Sequence, residues 1–229
     1  MVRLPDYGDI RQTMFCVHCG GGAETRDHIP PKVFLDEPFP EDLPFVPSCA
    51  SCNQGASADE EYVACLIDCV VSGSIDPERM RRNKVKRILG AKPALASRLS
   101  GASRKTASGI AIDPEMSRVR RVVLKMARGH ASYDLSEPQL EGPSAIVIAP
   151  LHLLAEADRE TFERPIGSAK LAGCPEVGSR AMQRLVDGDP GSSLWLVIQP
   201  GRYRYMTSMG GGLAVRMVIG EYLACEVVW

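Results

Sequence analysis

The stretch FCVHCGGGAETRDHIPPKVFL, residues 15–35, and its echo PSCASCNQG, residues 47–55, decide how this chain is read. The first carries a Cys-x-x-Cys pair, Cys16 and Cys19, and then an acid followed directly by an imidazole, Asp27-His28. The second carries another pair, Cys49 and Cys52, with Asn53 immediately behind it. With 29 residues between the pairs, the two knuckles can converge on one tetrahedral Zn²⁺ held by four thiolates, a closed structural site. A redox dithiol would need only one pair. The intervening DEPFPEDLPFVP has four prolines in twelve residues and must loop. Zinc would supply the folding free energy such a segment cannot raise alone.

If the knuckles are drawn together, Asn53 approaches the strand carrying Asp27 and His28. Neighbours on an extended segment point to opposite faces, so one can hold a metal while the other addresses a water. Oxygen ligands from Asp27 and Asn53 suit Mg²⁺ or Mn²⁺. His28 has an unperturbed pKa of about 6.5, suited to taking a proton at neutral pH. Each residue also has a plain reading: Asp27 as a turn or cap residue, His28 as a satisfied, partly buried histidine, Asn53 as a helix N-cap. His18, inside the first knuckle, reads as an exposed loop residue, and His130 and His152 as structural.

Around this centre the chain is ordinary. Its 229 residues are 45% hydrophobic and 24% charged, enough for one good-sized domain or two small ones. No apolar run is long enough to span a bilayer. MVRLPDYGDIRQTMF lacks the apolar core of a secretory signal, so a cytoplasmic location without membrane attachment is expected. In a reducing compartment, eight cysteines favour metal binding over disulfides.

Charge is segregated beneath a net −1. Arg79 to Arg128 carries 15 Lys and Arg against two acids, Asp113 and Glu115, while the rest holds 12 basic and 26 acidic residues. Such a block is either a surface for a polyanion or a solvated helical face balanced by acidic neighbours. Arg81, Arg82, Lys84, Lys86 and Arg87 are the phosphate-contact candidates, with Arg26 and Lys32 flanking Asp27-His28. No aromatic residues interleave them, which argues against base stacking as the main mode and gives no sign of sequence-specific recognition.

The organisation expected is α+β in three parts: residues 14–73 with the knuckles and a helix, 74–109 as a basic helix and flexible linker, and 110–229 as an α+β domain. In the first, Ala58–Glu61 suit a helix start, Val63, Leu66, Ile67 and Val70 recur at helical spacing, and Gly73 ends the helix. Cys65 and Cys69 read as small buried apolar residues. In the third, Asp113 and Pro114 predict a helix start, and Val119, Val122, Val123, Met126 and His130 form one stripe. SAIVIAPLHLL reads as a buried strand. SLWLVIQ, RYRYMTS, LAVRMVIG and YLACEVVW read as an antiparallel meander with Pro-Gly and triple-glycine turns. Nothing after Ile110 carries a motif with chemistry. DNA binding, homodimerisation, ligand recognition and scaffolding all stay open there.

From Cys16 to about Val70, some 55 residues, the chain resembles the HNH nucleases through CVHC, RDHIPPKVF and CASCNQG. The resemblance implies a ββα-metal fold in which the knuckles hold a structural zinc bracing a β-hairpin and helix. It implies that Asp27 and Asn53 bind a catalytic Mg²⁺ or Mn²⁺ and that His28 is the general base. The reaction implied is one-metal hydrolysis of DNA phosphodiesters, leaving 5′-phosphate and 3′-hydroxyl ends. Many members place a further His early in the helix. Here none occurs between His28 and His130, which under the resemblance selects an Asp-His…Asn subtype. Two alternatives stand beside it: a non-catalytic zinc-stabilised nucleic-acid-binding module, and a nuclease silenced by a C-terminal sensor.

Overall fold

The computed structural model describes residues 13–107, 109–164, 175–187, 195–209 and 212–229. The polar lead-in before residue 13 and Gly210–Gly211 of the triple-glycine turn lie outside the described residues.

The chain is α+β. Strands β1 (Thr25–His28) and β2 (Phe45–Ser48) form an antiparallel hairpin in which Asp27 faces Val46 and His28 faces Phe45. The proline-rich segment loops between them, as its composition requires, yielding only its last three residues to β2. Helices α1 (Ala50–Gly55) and α2 (Ser57–Ser72) follow. Asn53 therefore lies inside α1, whose N-cap is Cys49. Gly73 ends α2 in the left-handed conformation, φ 65°, the geometry that makes glycine the favoured terminator. Cys65 and Cys69 are buried on α2, and burial pushes both thiols up to about 12.

The segment expected to be a basic helix and a flexible linker carries more regular structure than that. It holds α3 (Asn83–Ala91), α4 (Pro93–Gly101) and a second hairpin, β3 (Ser103–Thr106) with β4 (Gly109–Ile112). Its small residues misled the reading because Leu99 is buried in the same core as Val85 and Leu89 of the preceding helix.

Helix α5 (Met116–Leu135) starts two residues later than Asp113-Pro114 would place it, with no side-chain cap. Beyond it, β5 (Ala145–Pro150), α6 (Glu156–Glu163) and α7 (Arg180–Asp187) lead to β6 (Leu196–Gln199), β7 (Tyr203–Ser208), β8 (Ala214–Ile219) and β9 (Leu223–Val228). The last four strands form the expected meander, and β5 joins its end in the order β5-β9-β8-β7-β6. As an edge strand, β5 is half-buried rather than buried: Ile146 and Ile148 face the core while Val147 is 54% exposed.

Helix α5 is wedged between the sheet and the first hairpin. Its predicted stripe, Val119, Val122, Val123, Met126 and His130, is fully covered. His130 donates or accepts at the Tyr203 hydroxyl, 2.7 Å away, and stacks on Tyr205 at 3.7 Å between ring centroids. Burial holds its pKa down at about 3. An unfolded histidine takes its proton near pH 6.5, so the unfolded state gains protons first as pH falls. The stability owed to neutral His130 is thus present above pH 6.5 and lost on acidification towards pH 3. Urea denaturation between pH 6 and 4 should show His130→Gln losing stability less steeply than wild type, by about 1.4 kcal/mol per pH unit. Equal slopes would show that His130 titrates normally.

Candidate functional site

Backbone geometry gathers the four cysteines. Hydrogen bonds from Cys16 N to Gly21 O and Gly20 N to Cys16 O curl the first knuckle, and Val17 N to Pro47 O ties it to β2. The second knuckle is the N-terminal turn of α1, where Cys49 Sγ accepts from Cys52 N. The sulfurs of Cys16, Cys19, Cys49 and Cys52 all lie within 4.8 Å of one another. This cluster can hold a metal ion such as zinc, since four sulfur donors on two knuckles match a tetrahedral site. Burial works against ionising Cys16, but backbone hydrogen bonds at Cys49, His18 and Cys19 bring it down to about 6. Burial and the neighbouring sulfurs push Cys52 the other way, above the ordinary thiol range.

Strand β1 separates Asp27 from His28. Asp27 is 4% exposed and turns inward, where its Oδ2 accepts from His18 Nε2 and from Lys125 Nζ, each at 2.9 Å. Lys125 also reaches Glu60 Oε1 at 2.6 Å. Burial opposes the charge on Lys125, yet the Asp27 and Glu60 carboxylates outweigh it and hold the ammonium above its usual range. Asn53 sits beside the same strand and donates from Nδ2 to Thr25 Oγ1 at 3.1 Å and Arg26 O at 3.2 Å. Both contacts to Asp27 fall on Oδ2 and both from Asn53 use Nδ2. One oxygen of each side chain is thus without a protein partner among the described residues. Carboxylate and amide oxygens are the donor type a divalent cation takes, with water filling its remaining positions.

His28 faces the other way, into a cleft of about 510 Å³ walled by Arg26, Lys32, Phe39, Glu41, Asp42 and Phe45. Its ring meets Phe45 edge-on, with centroids 6.4 Å apart. Burial and then the Lys32 charge lower its pKa, while the Pro44 carbonyl and Asp27 pull the opposite way. The balance favours the neutral imidazole. Arg26 and Lys32 are exposed at the cleft, Arg26 lying over Phe45 at 4.9 Å and Lys32 over Phe39 at 5.4 Å.

The basic block divides. Arg82 is buried, its Nε 2.8 Å from Asp36 and its NH2 donating to the Val33 and Leu35 carbonyls. Lys84 bonds the Lys32 and Leu35 carbonyls while resting 4.4 Å over Phe39, and Lys86 pairs with Glu78. Arg81 and Arg87 are exposed. On α5, Arg118 and Arg121 pair with Asp59 and Arg128 donates to the His18 carbonyl.

Three residues at this site escaped the sequence reading. His18 is 8% exposed rather than an open loop residue, because the knuckle turn aims it at Asp27. Glu60 was read only as a helix-start carboxylate, and Lys125 only as one charge of the basic block. Complementary charge on α2 and α5 was the available signal, but pairing it needed the tertiary fold. No helix among the described residues is long and apolar enough to cross a membrane. No family model, curated protein or solved structure matches the chain, so the reading below rests on its own residues.

Proposed function

We propose that the chain is a metal-dependent endonuclease of the HNH type, hydrolysing DNA phosphodiester bonds with little sequence preference, its hairpin and helices braced by zinc on Cys16, Cys19, Cys49 and Cys52. One observation carries it: on a hairpin tied to a four-sulfur cluster, Asp27 and Asn53 each keep an oxygen free while neutral His28 opens into a cleft flanked by Arg26 and Lys32. A non-catalytic module would need neither the free oxygens nor the neutral base.

The residues divide the work. Arg26 and Lys32 attract the phosphate backbone, the interaction that supplies most non-specific affinity. Cation–π contact with Phe45 and Phe39 limits their swing and points the charges at the cleft. His28, uncharged at neutral pH, takes a proton from a water at the phosphate. Asp27 and Asn53 would hold Mg²⁺ or Mn²⁺. When bound, that ion supplies electrostatic stabilisation of the charge growing on the phosphate and the departing oxygen.

Purified zinc-loaded protein is expected to nick and linearise supercoiled plasmid in Mg²⁺ or Mn²⁺ and to stop when a divalent chelator is added. Protein that retains zinc, binds DNA and leaves plasmid intact under both ions would end the catalytic reading and favour a binding module.

A further inference from the structure

Helix α5 lies outside the zinc-braced segment, yet it delivers a charge to a buried acid of that segment, Asp27. Lys125 is 10% exposed in its side chain and pairs with two carboxylates: Asp27 Oδ2 at 2.9 Å and Glu60 Oε1 at 2.6 Å. Reaching them requires α5 to lie close against the hairpin. One turn further on, Gly129 supplies that closeness, since a Cβ there would stand 2.3 Å from Ile29 Cδ1 and 2.9 Å from Cγ1. Arg128 adds a bond of 2.9 Å to the His18 carbonyl. Val17, Ile29, Val46 and Tyr133 close an apolar cluster over the same seam. Helix, hairpin and first knuckle are thus locked together around Asp27.

Resting on the nuclease reading above, we propose that Lys125 is a positioning residue of the divalent-cation site. Together with His18 it fixes Asp27 through Oδ2 and leaves Oδ1 as the ligand atom, and Glu60 anchors Lys125 from behind. Groups that orient a ligating carboxylate typically matter about 10–100-fold in metal affinity. The pair also settles the electrostatics. Without an intervening cation, Asp27 and Glu60 would be two buried like charges, and an unpaired buried charge is strongly destabilising. The site is consequently completed by the C-terminal half of the chain.

Mn²⁺ binding to the full zinc-loaded chain, followed by electron paramagnetic resonance of free Mn²⁺, tests this. Lys125→Met combined with Glu60→Gln removes one positive and one negative charge, so local net charge is unchanged. At least tenfold weaker Mn²⁺ binding is expected, with zinc content retained. In an Asp27→Asn background the same pair of changes should add less than about twofold, because Lys125 acts through Asp27. Unchanged or tighter binding would overturn the proposal, tighter binding marking Lys125 as a competitor of the ion. So would an equal loss in the Asp27→Asn background. Should the double variant fail to keep its zinc, Lys125→Arg decides. It preserves charge but replaces a compact ammonium with a wider planar fork that must displace Asp27. A loss of threefold or more is then expected, and unchanged affinity overturns the inference. Wild-type protein that binds no Mn²⁺ and cleaves no DNA would sink the nuclease reading and this one together. Wild type that does both, beside a double variant of equal affinity, sinks this one alone.

Discussion

Cys49→Ser, or stripping wild type with a strong chelator, is expected to free the β1–β2 hairpin while the five-stranded sheet stays folded. Each strand of that hairpin has four residues, and a lone two-stranded hairpin is marginal in water. What holds it is the cluster at one end and α5 along one side. Backbone hydrogen bonds lower Cys16, but burial and the neighbouring sulfurs raise Cys52, so four thiolates within 4.8 Å meet a mutual repulsion when no cation is present. A bound Zn²⁺ removes it. Structural zinc sites bind with apparent free energies of about 10–16 kcal/mol, comparable to the roughly 5–15 kcal/mol that stabilises a whole domain. We therefore expect about one zinc per chain. Its removal should lower the melting temperature by about 10 °C or more, as a loss of several kcal/mol does at this size. Hydrogen exchange gives the location. Amides of Thr25–His28 and Phe45–Ser48 should lose protection while those of β7, β8 and β9 keep theirs. Protein purified without zinc, or unchanged exchange after chelation, would remove the brace from the account.

How far the sequence could be read follows from the range of the interactions involved. The knuckles, the Asp27-His28 step and the Gly73 stop are local patterns, and each has a local physical cause: ligand spacing, strand alternation, left-handed backbone. The closing meander was equally legible because hairpin partners are neighbours in the chain and their turns are marked by glycine and proline. What failed was anything set by distant partners. Ala-, Ser- and Lys-rich sequence between Lys92 and Gly109 looks like a connector, yet Leu99 is buried in the core. SAIVIAPLHLL looks buried, but strand order put it at an edge with one face only partly covered. The basic block stayed open between its two readings for the same reason. Net charge along the chain does not reveal that Arg82 fastens the loop before β2 or that Arg118, Arg121 and Lys125 answer Asp59, Glu60 and Asp27. Alternation could place Asp27 opposite His28. It could not say that the inward side was already furnished with His18 and Lys125.

That division is why His28→Ala is the sharpest single substitution for the catalytic reading. The ring opens into the cleft, makes an edge contact with Phe45 and carries none of the ion pairs that lock α5 to the hairpin. Its removal should leave zinc content, Mn²⁺ affinity and the melting temperature close to wild type. Cleavage is another matter. Loss of a general base typically costs about 10²–10⁴ in rate, so plasmid nicking that wild type completes in minutes should take the variant many hours. DNA affinity should hold, because Arg26 and Lys32 remain at the cleft. The fall belongs in the turnover rate rather than in the DNA concentration giving half-maximal rate, as for an interaction made only in the transition state. An equal rate from both proteins would show that the water is activated elsewhere or that another nuclease is present. An equal fall in DNA affinity and rate would make His28 a binding residue of the cleft instead of its base. Asp27→Asn complements it, since it should weaken Mn²⁺ binding and rate together. Two adjacent residues on one strand would then fail in different ways, as β1 requires if its inner face holds the ion and its outer face moves the proton.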